Sequence, residues 1–233
     1  MNAERPELSV VIPAYHEEEN LRVLLPRLKA TLNGSGLTYE VLVIDTQKPL
    51  DNTREVCREW GVSYIARRGS DKFGDAIRTG LAEARGVWIL FMDGDGSHTP
   101  EFIPQLLAER EGKDVVIASR YVPGGYTENN RVLVFMSHVV NVVYRVVLGL
   151  RCKDVSNNFK LYRAELVKGL SLRCDNFDIV EEMLYKISRE NPGVRIVEVP
   201  FSFKQRMFGK TKRNLFVFMV SYLFTLIRLR LQR

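Results

Sequence analysis

The chain predicts an α/β fold with a largely parallel central sheet. Short apolar runs of strand length alternate with stretches of helical periodicity along its first half, and three of those runs end on residues able to meet a ligand. With 233 residues, 45% hydrophobic and 27% charged, the chain can bury one large core. In a sheet of this kind, ligands belong beyond the carboxyl ends of the strands.

Taken in order, Leu8 to Ile12 is an apolar run, and Glu17 to about Leu32 carries Leu21, Leu24, Leu25, Leu28 and Leu32 at helical spacing. Strand and helix then alternate through Tyr39 to Asp45, Thr53 to Trp60, Ser63 to Ala66, Phe73 to Ala84 and Val87 to Met92. A helix follows with Thr99 as N-cap and Pro100 at its first position, then a strand from Asp114 to Ser119. Val132 to Leu150 reads as an apolar helix with one polar stripe, Ser137, His138, Asn141 and Arg145. Further on, Glu181 and Glu182 sit in an amphipathic helix with Met183, Leu184 and Ile187, so at least one of them is expected at the surface. Leu215 to Ile227 is uncharged and is followed by arginines. It is shorter than the roughly 20 apolar residues a spanning helix needs, and predicts an interfacial anchor or a helix that docks on a partner subunit. The expected division is therefore a catalytic domain over 1–213 and a terminal helix over 214–233.

Net charge is +6, with Lys204, Arg206, Lys210, Lys212, Arg213, Arg228, Arg230 and Arg233 crowded near the C-terminus, a balance that suits phosphate, nucleic acid or an anionic membrane surface. Cys57, Cys152 and Cys174 match no metal or redox spacing and predict reduced thiols. The polar start, Met1 to Glu7, has no signal-peptide pattern, so export by that route is not expected.

The most informative segment is Trp88-Ile-Leu-Phe-Met-Asp93-Gly-Asp95-Gly-Ser97-His98. A buried strand that ends on two carboxylates one residue apart delivers oxygen ligands for Mg2+ or Mn2+ and leaves coordination positions for substrate phosphates. The same residues are also ordinary turn formers. An EF-hand is excluded, because Pro104 and Gln105 stand where its late Glu belongs. A phosphatase of the haloacid-dehalogenase type, with Asp93 as nucleophile, would place this motif on its first strand. No Gly-x-Gly-x-x-Gly follows the first strand and no Walker A loop is present, so neither hydride transfer nor P-loop phosphoryl transfer is indicated.

Four motifs in order, Val10-Val-Ile-Pro-Ala-Tyr-His-Glu-Glu-Glu-Asn-Leu21, the Asp93-x-Asp95 segment, Ile117-Ala-Ser-Arg-Tyr-Val-Pro-Gly-Gly125 and Arg206-Met-Phe-Gly-Lys-Thr-Lys212, resemble the inverting family 2 glycosyltransferases of GT-A fold. Within that family the likeness is to dolichyl-phosphate mannose synthases and related polyprenyl-phosphate glycosyltransferases. The resemblance implies that Pro13, Tyr15, Glu17 and Asp45 line a nucleotide pocket, and that Asp93 and Asp95, with Ser97 beside them, hold Mg2+ or Mn2+. Arg206 and Lys212 would close over the donor diphosphate from a flexible loop, and Arg120, Arg131 and Ser137 would grip the acceptor phosphate. Asp95, Arg120 and Arg206 are then the residues expected to matter most to turnover.

The implied donor is GDP-mannose, with UDP-glucose as the alternative, and the implied acceptor is a polyprenyl or dolichyl phosphate rather than nucleic acid. The implied place is the cytoplasmic face of a membrane, with a small membrane subunit as a further partner. The polar stripe on 132–150 would then face the acceptor. Two departures stand out: Asp45-Thr46 replaces a paired Asp-Asp, and Ser97 occupies the place of a Gln. The first leaves a catalytically idle sugar-nucleotide-binding subunit as the alternative from another class.

Overall fold

The computed structural model describes residues 5–129, 131–209 and 215–231. Its main sheet is built from β1 (Leu8–Pro13), β2 (Tyr39–Asp45), β3 (Ser63–Ala66), β4 (Trp88–Phe91), β5 (Val115–Ser119), β7 (Lys160–Arg163) and β8 (Ile196–Pro200). The order across it is β3-β2-β1-β4-β7-β5-β8, parallel except for β7, which runs against both neighbours. A second, two-stranded sheet pairs β6 (Tyr126–Thr127) with β9 (Ser202–Phe203).

Alternation along the strands divides the core. Val11, Leu42, Ile44, Ile89, Phe91 and Ile117 point to one face, under α3 (Phe73–Glu83), α5 (Arg131–Leu148), α6 (Ala164–Val167), α7 (Ile179–Glu190) and α8 (Leu215–Leu231). Val10, Ile12, Val41, Val43, Leu90 and Val116 point to the other, under α1 (Glu18–Asn33), α2 (Thr53–Glu59) and α4 (Ile103–Ala108). Because both faces are covered, the strands read as continuous apolar runs. The expected α/β architecture and the first-half elements therefore stand, with the Thr99–Pro100 start taken by a short 3-10 turn, Pro100–Phe102, ahead of α4. Gly80 lets α3 lie close on β1, since a Cβ there would meet Val11 Cγ1 at 2.3 Å. The three cysteines are free and buried.

On α5, Asn141 and Tyr144 turn inward, while Val132, Phe135, Val139, Val143 and Val146 are exposed, so much of the apolar side of the helix faces out. Two expectations change. The terminal helix is no separate appendage: Tyr222, Leu226 and Leu229 are buried, Tyr144 donates to the Tyr222 carbonyl at 2.6 Å, and Thr225 donates to Asp178 Oδ2. Arg228 Nη2 reaches Cys174 Sγ at 2.7 Å. The expected boundary at residue 213 thus separates in sequence what packs together in space. Neither glutamate of α7 is at the surface. Glu182 accepts the amides of Arg173 and Cys174 at 2.9 and 2.7 Å, and Glu181 is wholly buried.

Burial pushes the Glu181 carboxyl up to about 8, against the opposing pull of Lys160. A carboxyl raised above its unfolded value of about 4.3 stabilises the fold fully at low pH, and that contribution is lost as pH rises toward 8. Glu181→Gln should therefore match wild type near pH 4.5 and gain on it progressively, reaching on the order of 5 kcal/mol at pH 8. Urea midpoints from pH 4.5 to 9 measure this, and parallel curves would refute it.

Candidate active site

The carboxyl ends of β1, β2 and β4 lie side by side, since Val11 pairs with both Leu42 and Phe91. The turn after β4 is shaped by Gly96 at φ +82°, where a Cβ would also strike the Met207 side chain at 2.4 Å. Asp95 Oδ1 accepts the Ser97 amide at 3.0 Å and the Ser97 hydroxyl at 2.6 Å. Its other oxygen stands 3.5 Å from Arg206 Nε, and Arg206 Nη2 meets Glu17 Oε1 at 2.5 Å. Asn20 completes this cluster, donating to Glu17 Oε2 at 2.5 Å and accepting the Phe208 amide at 3.0 Å. The Met207 amide bonds the Asp95 carbonyl, and the Lys204 amide that of Ser97. Residues 204–208 therefore form a strap tied along the Asp93–Ser97 turn. Lys212 lies outside the described residues.

Charge placement explains the ionisation. Burial pushes Asp95 up, but the Ser97 hydroxyl and amide and the Arg206 guanidinium outweigh it and hold the carboxyl below its ordinary value. At Glu17, burial wins over Arg206 and Asn20, and the group is raised.

Beside this rim, Pro13 ends β1 and Tyr15 is exposed. His16 adopts φ 60° and bonds Asp51 at 3.1 Å. Asp45 is wholly buried, accepts the Tyr64 hydroxyl at 3.1 Å, and is raised by desolvation. Its departure partner Thr46 is also buried and donates to the Lys48 carbonyl at 2.7 Å. Arg67 donates to the carbonyls of Ala14 and, at 2.6 Å, Asp71, with its guanidinium 5.9 Å from the Tyr15 ring.

On the other side of the Asp93 turn, Arg120 is committed to Asp154 by two bonds, Nε to Oδ2 at 2.8 Å and Nη2 to Oδ1 at 2.7 Å. These bonds use Nε and Nη2, and Nη1 is the guanidinium nitrogen outside them. Ser156 Oγ accepts from Arg120 Nη2 and from Asn141 Nδ2, both at 2.9 Å, and Asn141 also donates to the Ser137 carbonyl at 2.7 Å. Arg120 and Ser137 are thereby brought into one cluster. Arg131 opens α5, but its side chain is outside the described set. Asn158 Nδ2 donates to Asp93 Oδ1 at 3.0 Å, joining the two halves of the site.

Two carboxylates at a partly exposed rim suit a hard divalent cation that takes its remaining oxygens from a diphosphate. Asp93 and Asp95 fit that description, with side chains 20% and 24% exposed. Ser97 is buried, and its hydroxyl donates to Asp95 Oδ1 and so holds that carboxylate in place. Among the described residues no group of three or more His, Cys, Asp and Glu is arranged as a closed metal site.

The glycosyl transferase family 2 model matches residues 9–170. The chain belongs to this family. It is 38% identical over 216 residues to the dolichol-phosphate mannosyltransferase of Pyrococcus furiosus, covering 88% of this chain and 59% of that protein. The chain thus spans well under two thirds of that relative. It is 33% identical to the undecaprenyl-phosphate mannosyltransferase of Micrococcus luteus, over 88% of this chain and 86% of that one. Glucosyl-3-phosphoglycerate synthase from Mycobacterium tuberculosis, solved with Mn2+, UDP and glucosyl-3-phosphoglycerate, superposes with a TM-score of 0.73 at 18% identity, covering 96% of this chain and 80% of that one. That likeness agrees with the GT-A fold the motifs imply.

Sequence reasoning missed Asn20, Ser156 and Arg67 as site residues. Asn20 was visible as the i,i+3 neighbour of Glu17 at a helix start, whereas Ser156 and Arg67 carry no pattern of their own. Removing one partner of a buried ion pair leaves an uncompensated charge, so Asp154→Ala should lower stability by about 3–5 kcal/mol, with part recovered in the Arg120→Ala/Asp154→Ala double variant. Denaturant midpoints of the four proteins decide this.

Proposed function

We propose that the chain transfers a mannosyl group from GDP-mannose to a polyprenyl phosphate, with inversion at the anomeric carbon, as a peripheral protein on the cytoplasmic face of a membrane. One arrangement carries the reading: Asp93 and Asp95 meet the Arg120–Asp154–Ser156 cluster at a single sheet edge, joined by Asn158, beside a helix whose outer side is apolar. The names of the Pyrococcus and Micrococcus relatives support a mannosyl group and a lipid-phosphate acceptor.

In this reading Pro13, Tyr15, Glu17 and Asp45 border the nucleotide. Asp93 and Asp95 would hold Mg2+ or Mn2+, which when bound neutralises the diphosphate and eases its departure. Arg206, poised between Glu17 and Asp95, adds a fixed cation at the same place. A phosphomonoester has a second pKa of about 6 and is largely a dianion at neutral pH, so it attacks without a strong general base. Its oxygen forms the new bond to the anomeric carbon while the bond to the diphosphate breaks and GDP leaves with the electron pair. Ser137, Arg131 and the outer edge of Arg120 would receive that phosphate.

The lipid side is supported by exposed Val132, Phe135 and Val146 on α5 and Leu223, Phe224, Ile227 and Leu231 on α8, which packs against it. Among the described residues no helix is long and apolar enough to cross a membrane.

Radiolabelled GDP-mannose and UDP-glucose, offered separately with a short polyprenyl phosphate in detergent, test the reaction. A lipid-soluble product should form with GDP-mannose and Mg2+ or Mn2+ and vanish with chelator. Product from UDP-glucose alone would reassign the donor, and nucleotide-sugar binding without product would favour an idle subunit. Asp95→Ala should reduce transfer by about 10³-fold with little change in thermal stability. Phe224→Asp combined with Val146→Asp should cut cosedimentation with anionic vesicles severalfold at unchanged thermal stability, and unchanged binding would remove the lipid face from this reading.

A further inference from the structure

The site contains a histidine that its reaction does not use. His98 is wholly buried, stacked 4.8 Å from the Phe159 ring and edged by Phe203 at 5.5 Å and Phe201 at 6.2 Å. Such a ring cannot meet a substrate, yet both its nitrogens are engaged. Nδ1 accepts the Asp93 amide at 2.8 Å, which leaves Nε2 to carry the proton and donate to Asn157 Oδ1 at 3.0 Å. The orientation of the Asn157 amide is fixed in turn, because its Nδ2 donates to the Ala118 carbonyl of β5 at 2.6 Å. The Asn157 backbone amide continues the path to Asp154 Oδ1 at 3.2 Å, and Asp154 holds Arg120. From the next residue, Asn158 returns to the Asp93 side chain.

We propose that His98 is a positioning residue: with Asn157 and Asn158 it forms a rigid bridge that sets the distance between the donor-side carboxylates at Asp93–Asp95 and the acceptor-side pair Arg120–Asp154. This rests on the two-substrate reading given under the proposed function. Three chain segments, 93–98, 118–120 and 154–158, meet at the site without covalent connection nearby, and the imidazole, with the Asn158 amide beside it, spans the first and the third. In-line displacement is steep in geometry: a misplacement of about 1 Å between two bound reactants costs on the order of 10²-fold in rate. A bridge made of paired, buried polar groups resists such drift because each broken bond would strand a buried donor or acceptor.

The test is His98→Phe, which keeps an aromatic ring among Phe159, Phe201 and Phe203 and removes both bonds. At saturating GDP-mannose, Mn2+ and polyprenyl phosphate, kcat should fall about 10- to 100-fold, while nucleotide affinity measured calorimetrically and the KM for donor change less than about threefold. Wild-type turnover in a folded variant would overturn the proposal, and so would loss of nucleotide binding in step with turnover, since His98 would then shape the donor turn alone. Should His98→Phe fail to fold, Asn157→Ala leaves the imidazole on Asp93 and cuts the bridge at its other end, with the same kcat and KM split expected. The wild-type protein offers a check that needs no variant: imidazole 15N shifts at pH 7 should report the Nε2–H tautomer for His98, and an Nδ1–H tautomer would contradict the bridge. Failure of the underlying reading is recognised separately, as wild-type enzyme that transfers no sugar to any lipid phosphate, and it would take the bridge with it.

Discussion

Reversal of a single strand brings the Arg120–Asp154 cluster to the Asp93–Asp95 turn. β7 runs antiparallel between β4 and β5, with Lys160 opposite both Phe91 and Ile117, so the segment that leads into β7 arrives at the edge where its neighbours end. In an all-parallel sheet that segment would lie at the opposite rim. Here Asp154, Ser156, Asn157 and Asn158 are delivered to the turn that follows β4 and to the end of β5. Lys160 pins the delivery, since its buried ammonium donates to the carbonyls of Val155, at 2.9 Å, and Asn157.

The cost of burying charge here is met by pairing. Arg120 and Asp154 share two hydrogen bonds, Arg206 stands between Glu17 and Asp95, and Glu182 takes two backbone amides. A charge held this way stays fixed when substrate arrives, whereas a solvated one must first be reorganised. The exception is Glu181, whose burial is relieved mainly by taking up a proton.

Much of this was legible in the chain. Apolar runs bounded by turns gave the first five parallel strands, because a strand covered on both faces has no alternative composition, and the acidic strand ends pointed to one rim. The reversal of β7 was not legible: Lys160-Leu-Tyr-Arg163 reads as polar and apolar residues in turn, without a signal of direction. The depth of Asn141 was not legible either: it accepts the amides of Val155 and Ser156 at 2.6 and 3.0 Å, which ties that side of α5 to the 154–158 segment and leaves Val139, Val143 and Val146 on the outside. The burial of Glu181 and Glu182 was not legible in the helical pattern, because it depends on tertiary partners: Lys160 near Glu181, and the 173–174 backbone on Glu182 beside its in-helix partner Lys186.

The terminal helix has a double allegiance. Its inner side is stitched to the domain through Thr225 on Asp178 and Arg228 on Cys174, while Leu223, Phe224 and Ile227 look outward. Whatever grips the outer side in preference to the unfolded chain therefore adds its binding free energy to the cohesion of the catalytic core. A lipid surface or partner held there would act as a thermodynamic brace, and the resting stability of the protein away from that surface would be a poor guide to its endurance in place.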